Sequence, residues 1–207
     1  MDLDYHRYDI IASMKHYEPK NYTLSGLHGI SDQNIAEHIK LYQGYVKNTN
    51  LIMDRITEYS TDTEKYAYEL GELQRRFSFE YNGMKNHEYY FEQLVAGSRP
   101  LDTTSSLAQK INESFGSFDG FITRFKTIAM TRGIGWAILY RDVSTNQLVT
   151  AWVDEQHLGQ LNSAQFIFGI DMWEHAYVAD YQPSGKKQYI EDYLNQVNWE
   201  TIAQRFF

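Results

Sequence analysis

The chain has 207 residues, no cysteine and a formal net charge of −8 at neutral pH. This length permits one large domain or two small ones. The lack of cysteine excludes disulfides, thiolate metal sites and a cysteine nucleophile, and the acidic balance argues against a nucleic-acid partner, because phosphate contacts need clustered Lys and Arg.

The sequence contains neither the pattern of a membrane span nor that of an export signal. No run approaches the ~18 consecutive apolar residues that a spanning helix needs. Residues 1–6 are acidic and lack the apolar core of a signal peptide. We therefore expect a cytoplasmic protein without a membrane partner.

Two long helices are predicted in the first half of the chain, from apolar and aromatic residues that recur every three or four positions. The first runs from Asp32 to about Tyr59, with a break near residues 48–50, and carries His38. The second runs from about residue 61 to residue 94 and carries His87. We expect the two helices to form an antiparallel hairpin.

The second half of the chain combines helices with a small sheet, so the predicted fold class is α+β. A linker near residue 96 divides a helical hairpin domain, residues 1–95, from a second domain, residues 96–207. The alternating patterns predict a three-stranded, mostly antiparallel sheet in that domain. The predicted elements are helices over 105–115 and 118–129, strands over 135–142, 147–153 and 166–170, and helices over 189–196 and 199–206.

Four side chains are candidate metal ligands. Asp171 follows the third predicted strand, and His175 comes four residues later. A strand end is a rigid place from which to direct a ligand. Together with His38 and His87, these residues offer three imidazole nitrogens and one carboxylate, a set that suits Zn, Fe or Mn.

Four stretches resemble the iron/manganese superoxide dismutases, in the order in which that family has them. The match extends from about residue 25 to the end of the chain. The stretches are Asn86-His87-Glu88-Tyr89-Tyr90-Phe91, Gly133-Ile134-Gly135-Trp136, Asp171-Met172-Trp173-Glu174-His175-Ala176-Tyr177 and Val197-Asn198-Trp199-Glu200.

This resemblance implies an enzyme that converts superoxide to oxygen and hydrogen peroxide with one Fe or Mn ion per subunit. The ligands would be His38, His87, Asp171 and His175, with a solvent molecule as the fifth. The resemblance also implies a homodimer. In that dimer Glu174 would bond the metal-bound His175 of the partner subunit.

The resemblance further implies aromatic neighbours for the ion. Trp136 and Trp173 correspond to the aromatic wall of the family. Tyr45 corresponds to the gateway tyrosine of the family. The spacing from His38 to Tyr45 is one residue shorter than the spacing in the family. Tyr42 stands where the family has a second histidine, so Tyr42 is the other candidate for the gateway.

A side chain from the sheet region is expected to bond the metal-bound solvent, because Gly83 occupies the position of the glutamine that iron-type members use. Gln156 and His157 are the two candidates. Neighbouring residues of a strand point to opposite faces, so only one of them can serve. We favour His157, because some branches of the family use a histidine in this role. The altered spacing in the first helix leaves one alternative function, a catalytically silent relative that keeps the fold as a metal-binding or structural protein.

Overall fold

Two helices, α1 (Asp32–Tyr59) and α2 (Ala67–Glu92), are the longest elements of the protein. The computed structural model describes residues 15–206. Helix α1 begins where the Ser31 hydroxyl accepts a hydrogen bond from the backbone N–H of Asn34, at 3.1 Å. This bond satisfies one of the free amide groups in the first turn of the helix.

The two helices form an antiparallel hairpin, which confirms the prediction. At one end of the pair, the His38 and His87 ring centroids lie 4.9 Å apart. At the other end, Tyr59 stacks on Tyr66 with a centroid separation of 4.5 Å. The hairpin therefore brings together two histidines that are far apart in the sequence.

The predicted break in α1 near residues 48–50 is wrong. Thr49 is fully buried, and its hydroxyl donates to the backbone carbonyl of Tyr45 at 2.8 Å. A polar side chain that bonds the preceding helical turn does not need to interrupt the helix. The start of the second helix also differs, because residues 60–66 form turns and α2 begins only at Ala67.

A three-stranded antiparallel sheet follows, with the strand order β2-β1-β3. The strands are β1 (Gly135–Asp142), β2 (Leu148–Asp154) and β3 (Ala164–Asp171). The register pairs Trp136 of β1 directly with Asp171 of β3. Because directly opposed residues project from the same face of a sheet, this register fixes the indole beside the carboxylate.

Shorter helices cover the sheet and confirm the α+β class. Phe125 of the helix Phe118–Ala129 and Trp199 of the helix Trp199–Ala203 pack on Phe168 of β3, with centroid separations of 4.7 and 4.9 Å. No helix within residues 15–206 is long and apolar enough to cross a membrane. The division at residue 96 stays a prediction. The covering elements are α3 (Ser106–Phe115), α4 (Phe118–Ala129), α5 (Val178–Tyr181), α6 (Lys186–Leu194) and α7 (Trp199–Ala203), with 3-10 turns at Glu174–Ala176 and Pro183–Gly185.

Arg205, near the end of the chain, ties α2 to the sheet. Its guanidinium donates to the Gln93 side chain at 3.0 Å and to the backbone carbonyl of Ile167 at 3.2 Å. A third bond, of 3.3 Å, reaches Glu92. A planar guanidinium with several donors suits such a multiple contact. The last turn of α2 is thereby held against β3, which carries Asp171 at its end.

Gly83 allows the two long helices to approach closely. A Cβ atom at Gly83 would lie 2.5 Å from Cδ1 of the Tyr45 ring, whereas a Cβ at Gly71, on the same helix, would meet nothing within 4 Å. The tyrosine ring therefore packs directly on the α2 backbone beside His87.

This contrast yields a matched pair of alanine variants. We expect Gly83→Ala to lower the free energy of unfolding by about 1–3 kcal/mol, because the added methyl overpacks the interface. We expect Gly71→Ala to raise it by about 0.5–1 kcal/mol through helix propensity. Urea unfolding of both variants measures the difference. Equal stability of the two variants would contradict the packing of Tyr45 on α2.

Candidate metal centre

Four side chains from four different elements converge at one point. His38 comes from α1, His87 from α2, Asp171 from the end of β3, and His175 from the 3-10 turn that follows. The Nε2 atoms of His38, His175 and His87 lie 3.1, 3.0 and 3.5 Å from Oδ2 of Asp171. One ligand atom from each residue lies within 4.8 Å of all the others.

The hydrogen bonds around Asp171 leave one of its oxygens for this cluster. Oδ1 accepts from the backbone N–H of Trp173 at 2.8 Å, so Oδ2 alone faces the three imidazoles. The side chains of His38, His87 and Asp171 have no solvent exposure. His87 Nε2 has no hydrogen-bond partner in residues 15–206, and a buried polar atom without a partner is costly.

A cation satisfies this arrangement. His87 Nδ1 lies 2.6 Å from the backbone carbonyl of Gly83. With the proton assigned to Nδ1, the lone pair of Nε2 points into the cluster, which is how a metal-binding histidine is usually oriented. Three imidazole nitrogens and one carboxylate oxygen suit Fe, Mn or Zn. The residues therefore fit a single metal ion.

The protonation states also fit. Burial lowers the pKa of His38 and lowers that of His87 to about 3, so both rings are neutral at pH 7 and can offer a lone pair. Burial by itself would raise the pKa of Asp171. Hydrogen bonds from the His175 and His38 rings outweigh burial and hold that pKa below its usual range. The carboxylate therefore stays ionised, as metal binding requires.

Aromatic rings enclose the cluster. The rings of Trp136 and Tyr45 lie 5.2 and 5.0 Å from the His87 ring, between centroids. Trp173 stacks on His175 at 5.7 Å. Tyr90, which the sequence did not single out, lies 4.8 Å from His38. These rings surround the cluster with a low-dielectric wall, which strengthens electrostatic interactions inside it.

The structure places Gln156, and not His157, beside Tyr45. Gln156 is fully buried. Its Oε1 accepts from the indole N–H of Trp136 at 2.7 Å, and its Nε2 donates to the hydroxyl of Tyr45 at 2.9 Å. An indole can only donate, so the amide orientation is determined. His157, which the sequence favoured, lies edge-on against Phe79 instead, because consecutive residues of the loop point in different directions.

The two tyrosines of α1 lie in different surroundings. Tyr45 packs on His87, as described above. The Tyr42 hydroxyl accepts from the backbone N–H of Lys20 at 2.9 Å and donates to Glu88 at 3.3 Å. Of the two gateway candidates, Tyr45 is therefore the one in contact with the cluster. Glu174 is exposed in the single chain, on the same 3-10 turn as His175.

Further polar residues support the cluster although the sequence did not mark them. Asn86 donates from its side chain to the backbone carbonyl of Gln156 at 3.2 Å, and Gln160 donates to the same carbonyl at 3.2 Å. The Tyr189 hydroxyl donates to the backbone carbonyl of Asp171 at 3.0 Å. Asn86 directly precedes His87 and opens one of the four stretches that carry the resemblance, and these signals could have identified it.

Comparison with known proteins agrees with this geometry. Residues 103–205 match the family described as iron/manganese superoxide dismutases, C-terminal domain. A protein named superoxide dismutase [Fe], from Aquifex pyrophilus, is 32% identical over 197 residues, which cover 92% of this chain and 88% of that protein. The chain belongs to the iron/manganese superoxide dismutase family. This membership confirms the resemblance drawn from the four stretches.

Relatives named for either metal are similar to this chain. Superoxide dismutase [Fe] from Aquifex aeolicus is 31% identical over 95% of this chain and 91% of that protein. Superoxide dismutase [Mn] from Mycobacterium leprae is 31% identical over 84% of this chain and 82% of that protein. An Fe or Mn ion is thus the cofactor that the family and the cluster support. The cytoplasmic location stays a prediction.

Proposed function

We propose that the protein is a superoxide dismutase that uses one Fe or Mn ion per subunit. The observation that carries this proposal is the convergence of His38, His87 and His175 on a single oxygen of Asp171. Neutral imidazoles and one carboxylate would contribute one negative charge. This donor set would favour neither the divalent nor the trivalent state of the ion too strongly.

The bound ion would supply one-electron chemistry between its +2 and +3 states. One superoxide loses an electron and leaves as oxygen. A second superoxide gains that electron and two protons and leaves as hydrogen peroxide. The protein's own residues hold the four donors in place, keep other reactants out and provide protons.

Tyr45 and Gln156 would provide the proton path. Because the Tyr45 oxygen accepts a bond from Gln156 Nε2, the hydroxyl hydrogen of Tyr45 is free to point towards the cluster. Burial raises the pKa of Tyr45, so the phenol keeps its proton at neutral pH. Trp136 holds the other end of Gln156, so the amide cannot turn away from Tyr45.

The shortened spacing between His38 and Tyr45 in α1 does not favour the alternative function, that of a catalytically silent relative. Tyr45 lies seven positions after His38, which corresponds to a rotation of about 700° around the helix. This is within about 20° of two full turns, so both side chains lie on nearly the same face. The contact of Tyr45 with His87 supports an active centre despite the changed spacing.

Removing a ligand tests the centre directly. We expect His87→Ala and Asp171→Ala to reduce bound Fe or Mn and to reduce superoxide dismutation to the background rate, because each variant removes one of four donors. Metal analysis and a superoxide assay on protein loaded with each metal measure this. His16→Ala, at an exposed histidine, is the control. Stoichiometric metal without dismutase activity in the unmodified protein would favour the silent relative.

A second pair of variants separates the roles of Gln156 and His157. We expect Gln156→Leu to lower activity about 10- to 100-fold, as loss of a residue that orients a metal site typically does, and to change its pH profile. His157→Gln should leave both nearly unchanged, because His157 packs on Phe79. A shift of metal preference or pH profile in His157→Gln would restore the assignment that the sequence favoured.

We also propose a homodimer in which Glu174 accepts a hydrogen bond from Nδ1 of His175 of the partner subunit. In the single chain Glu174 is exposed, and the His175 side chain is 21% exposed. A bond from a carboxylate to the remote nitrogen of a metal-bound histidine fixes its tautomer. Two such bonds, related by a twofold axis, would make the interface self-complementary.

Sedimentation velocity tests this assembly. We expect the protein to sediment as a dimer, and Glu174→Ala to shift it towards monomer with loss of metal. Glu37→Ala, at an exposed glutamate of α1, is the matched control and should stay dimeric. A monomeric protein that retains full activity would refute both the dimer and the role of Glu174.

A further inference from the structure

Buried tyrosines form a continuous path that starts at the metal centre. The Tyr90 ring lies 4.8 Å from the His38 ring. The hydroxyl oxygens of Tyr90 and Tyr189 are 3.2 Å apart, and both side chains are fully buried. The Tyr189 ring in turn lies 5.9 Å from the ring of Tyr181, which is only partly buried. Three tyrosines thus connect His38 with the edge of the protein.

The path ends at a proton acceptor. The Tyr181 hydroxyl donates to Oδ2 of Asp192 at 2.9 Å. The other oxygen of Asp192 lies 3.5 Å from Nδ1 of His28, whose side chain is 80% exposed. A phenol that loses an electron must also lose its proton to become a neutral radical. Of the three tyrosines in this path, Tyr181 is the one whose hydroxyl can give its proton to a carboxylate. His28 connects that carboxylate with solvent.

The hydroxyl groups of Tyr90 and Tyr189, inside the path, are not bonded to a carboxylate as that of Tyr181 is. The Tyr189 hydroxyl donates to the backbone carbonyl of Asp171. The Tyr90 hydroxyl is hydrogen-bonded to the Tyr189 hydroxyl. Neither a carbonyl nor a second phenol is a strong base. A Tyr90 or Tyr189 that loses an electron therefore keeps its proton and regains an electron from the next tyrosine, while Tyr181 can lose both electron and proton and so retain the oxidised state.

We propose that Tyr90, Tyr189 and Tyr181 carry oxidising equivalents from the metal centre to the Tyr181–Asp192 pair. The inference rests on the proposed function, because it needs a redox-active ion at the cluster and hydrogen peroxide as the product. It adds a second function to the same centre, which is the removal of oxidising equivalents that would otherwise damage its ligands.

The step balances when hydrogen peroxide is the oxidant. The O–O bond of one peroxide breaks, and one electron comes from the divalent ion and one from the tyrosine path. One peroxide, one divalent ion, one tyrosine and one proton give two waters, one trivalent ion and one neutral tyrosyl radical. The phenolic proton of Tyr181 moves to Asp192 and leaves past His28 to solvent, and solvent supplies two protons to the waters formed at the centre. An electron from a reductant in solution, such as a thiol, would then restore the tyrosine.

Freeze-quench electron paramagnetic resonance of the iron-loaded protein with hydrogen peroxide tests this path. We expect a tyrosyl signal, and mass spectrometry after spin trapping should locate the adduct at Tyr181. Tyr181→Phe should lose most of the signal and shift oxidation to residues beside the ligands. Tyr189→Phe, which interrupts the path, should lower the adduct at Tyr181 while leaving Tyr181 in place.

Tyr177→Phe is the matched control. Tyr177 also stacks on Tyr189, at 5.3 Å, but its hydroxyl makes no hydrogen bond to other residues of the range 15–206. We expect this variant to keep the Tyr181 adduct. Circular dichroism and metal analysis of each variant show whether it is folded and loaded.

Three results would overturn the proposal. The first is a folded, iron-loaded Tyr181→Phe protein with an unchanged signal. The second is an unchanged Tyr181 adduct in folded, iron-loaded Tyr189→Phe. The third is an equal adduct in zinc-loaded protein, because zinc has no redox chemistry and the oxidation would then come from peroxide in solution. A protein without metal-dependent dismutase activity would instead refute the proposed function itself, so the two failures are distinguishable.

Discussion

The centre depends on one carboxylate oxygen that three imidazoles share. Oδ1 of Asp171 is occupied by the backbone N–H of Trp173, and Oδ2 faces His38, His87 and His175. A buried ionised carboxylate is unfavourable unless it is paired. Neutral imidazoles offset this cost only in part, whereas a divalent or trivalent cation offsets it fully. The fold therefore brings together four elements whose donors are better satisfied with an ion than without one.

The contacts behind the donors explain how this point is held. Strand β3 is an edge strand of the sheet, so its outer carbonyls need partners from elsewhere. Tyr189 and Tyr193, both from α6, supply hydroxyl donors to the carbonyls of Asp171 and Gly169 at 3.0 Å. The strand end that carries Asp171 is thus fixed from outside, while Trp136 fixes it from the neighbouring strand.

The sequence predicted the four clustered donors better than the residues that surround them. Histidine and aspartate are scarce inside proteins, so His38, His87, Asp171 and His175 stand out within recognisable stretches. The choice between Gln156 and His157 depended on the backbone of a loop, where Glu155 has a positive φ of 51°. Such a conformation is uncommon for a residue other than glycine, and alternation along a strand does not describe it. Tyr90 and Tyr189 were also missed, since a single tyrosine in a helix usually indicates only core packing.

Burial of tyrosine rather than phenylalanine around a redox centre has a physical consequence. A buried hydroxyl must find a partner, and the partner determines what the phenol can do. Tyr45 accepts from an amide, so its own proton is available to the cluster. Tyr189 donates to a carbonyl and so supports the strand. Tyr181 donates to a carboxylate, so it can release its proton when it is oxidised. In the functions proposed above, the same side chain would contribute proton supply, strand support or electron removal, according to the group that its hydroxyl meets.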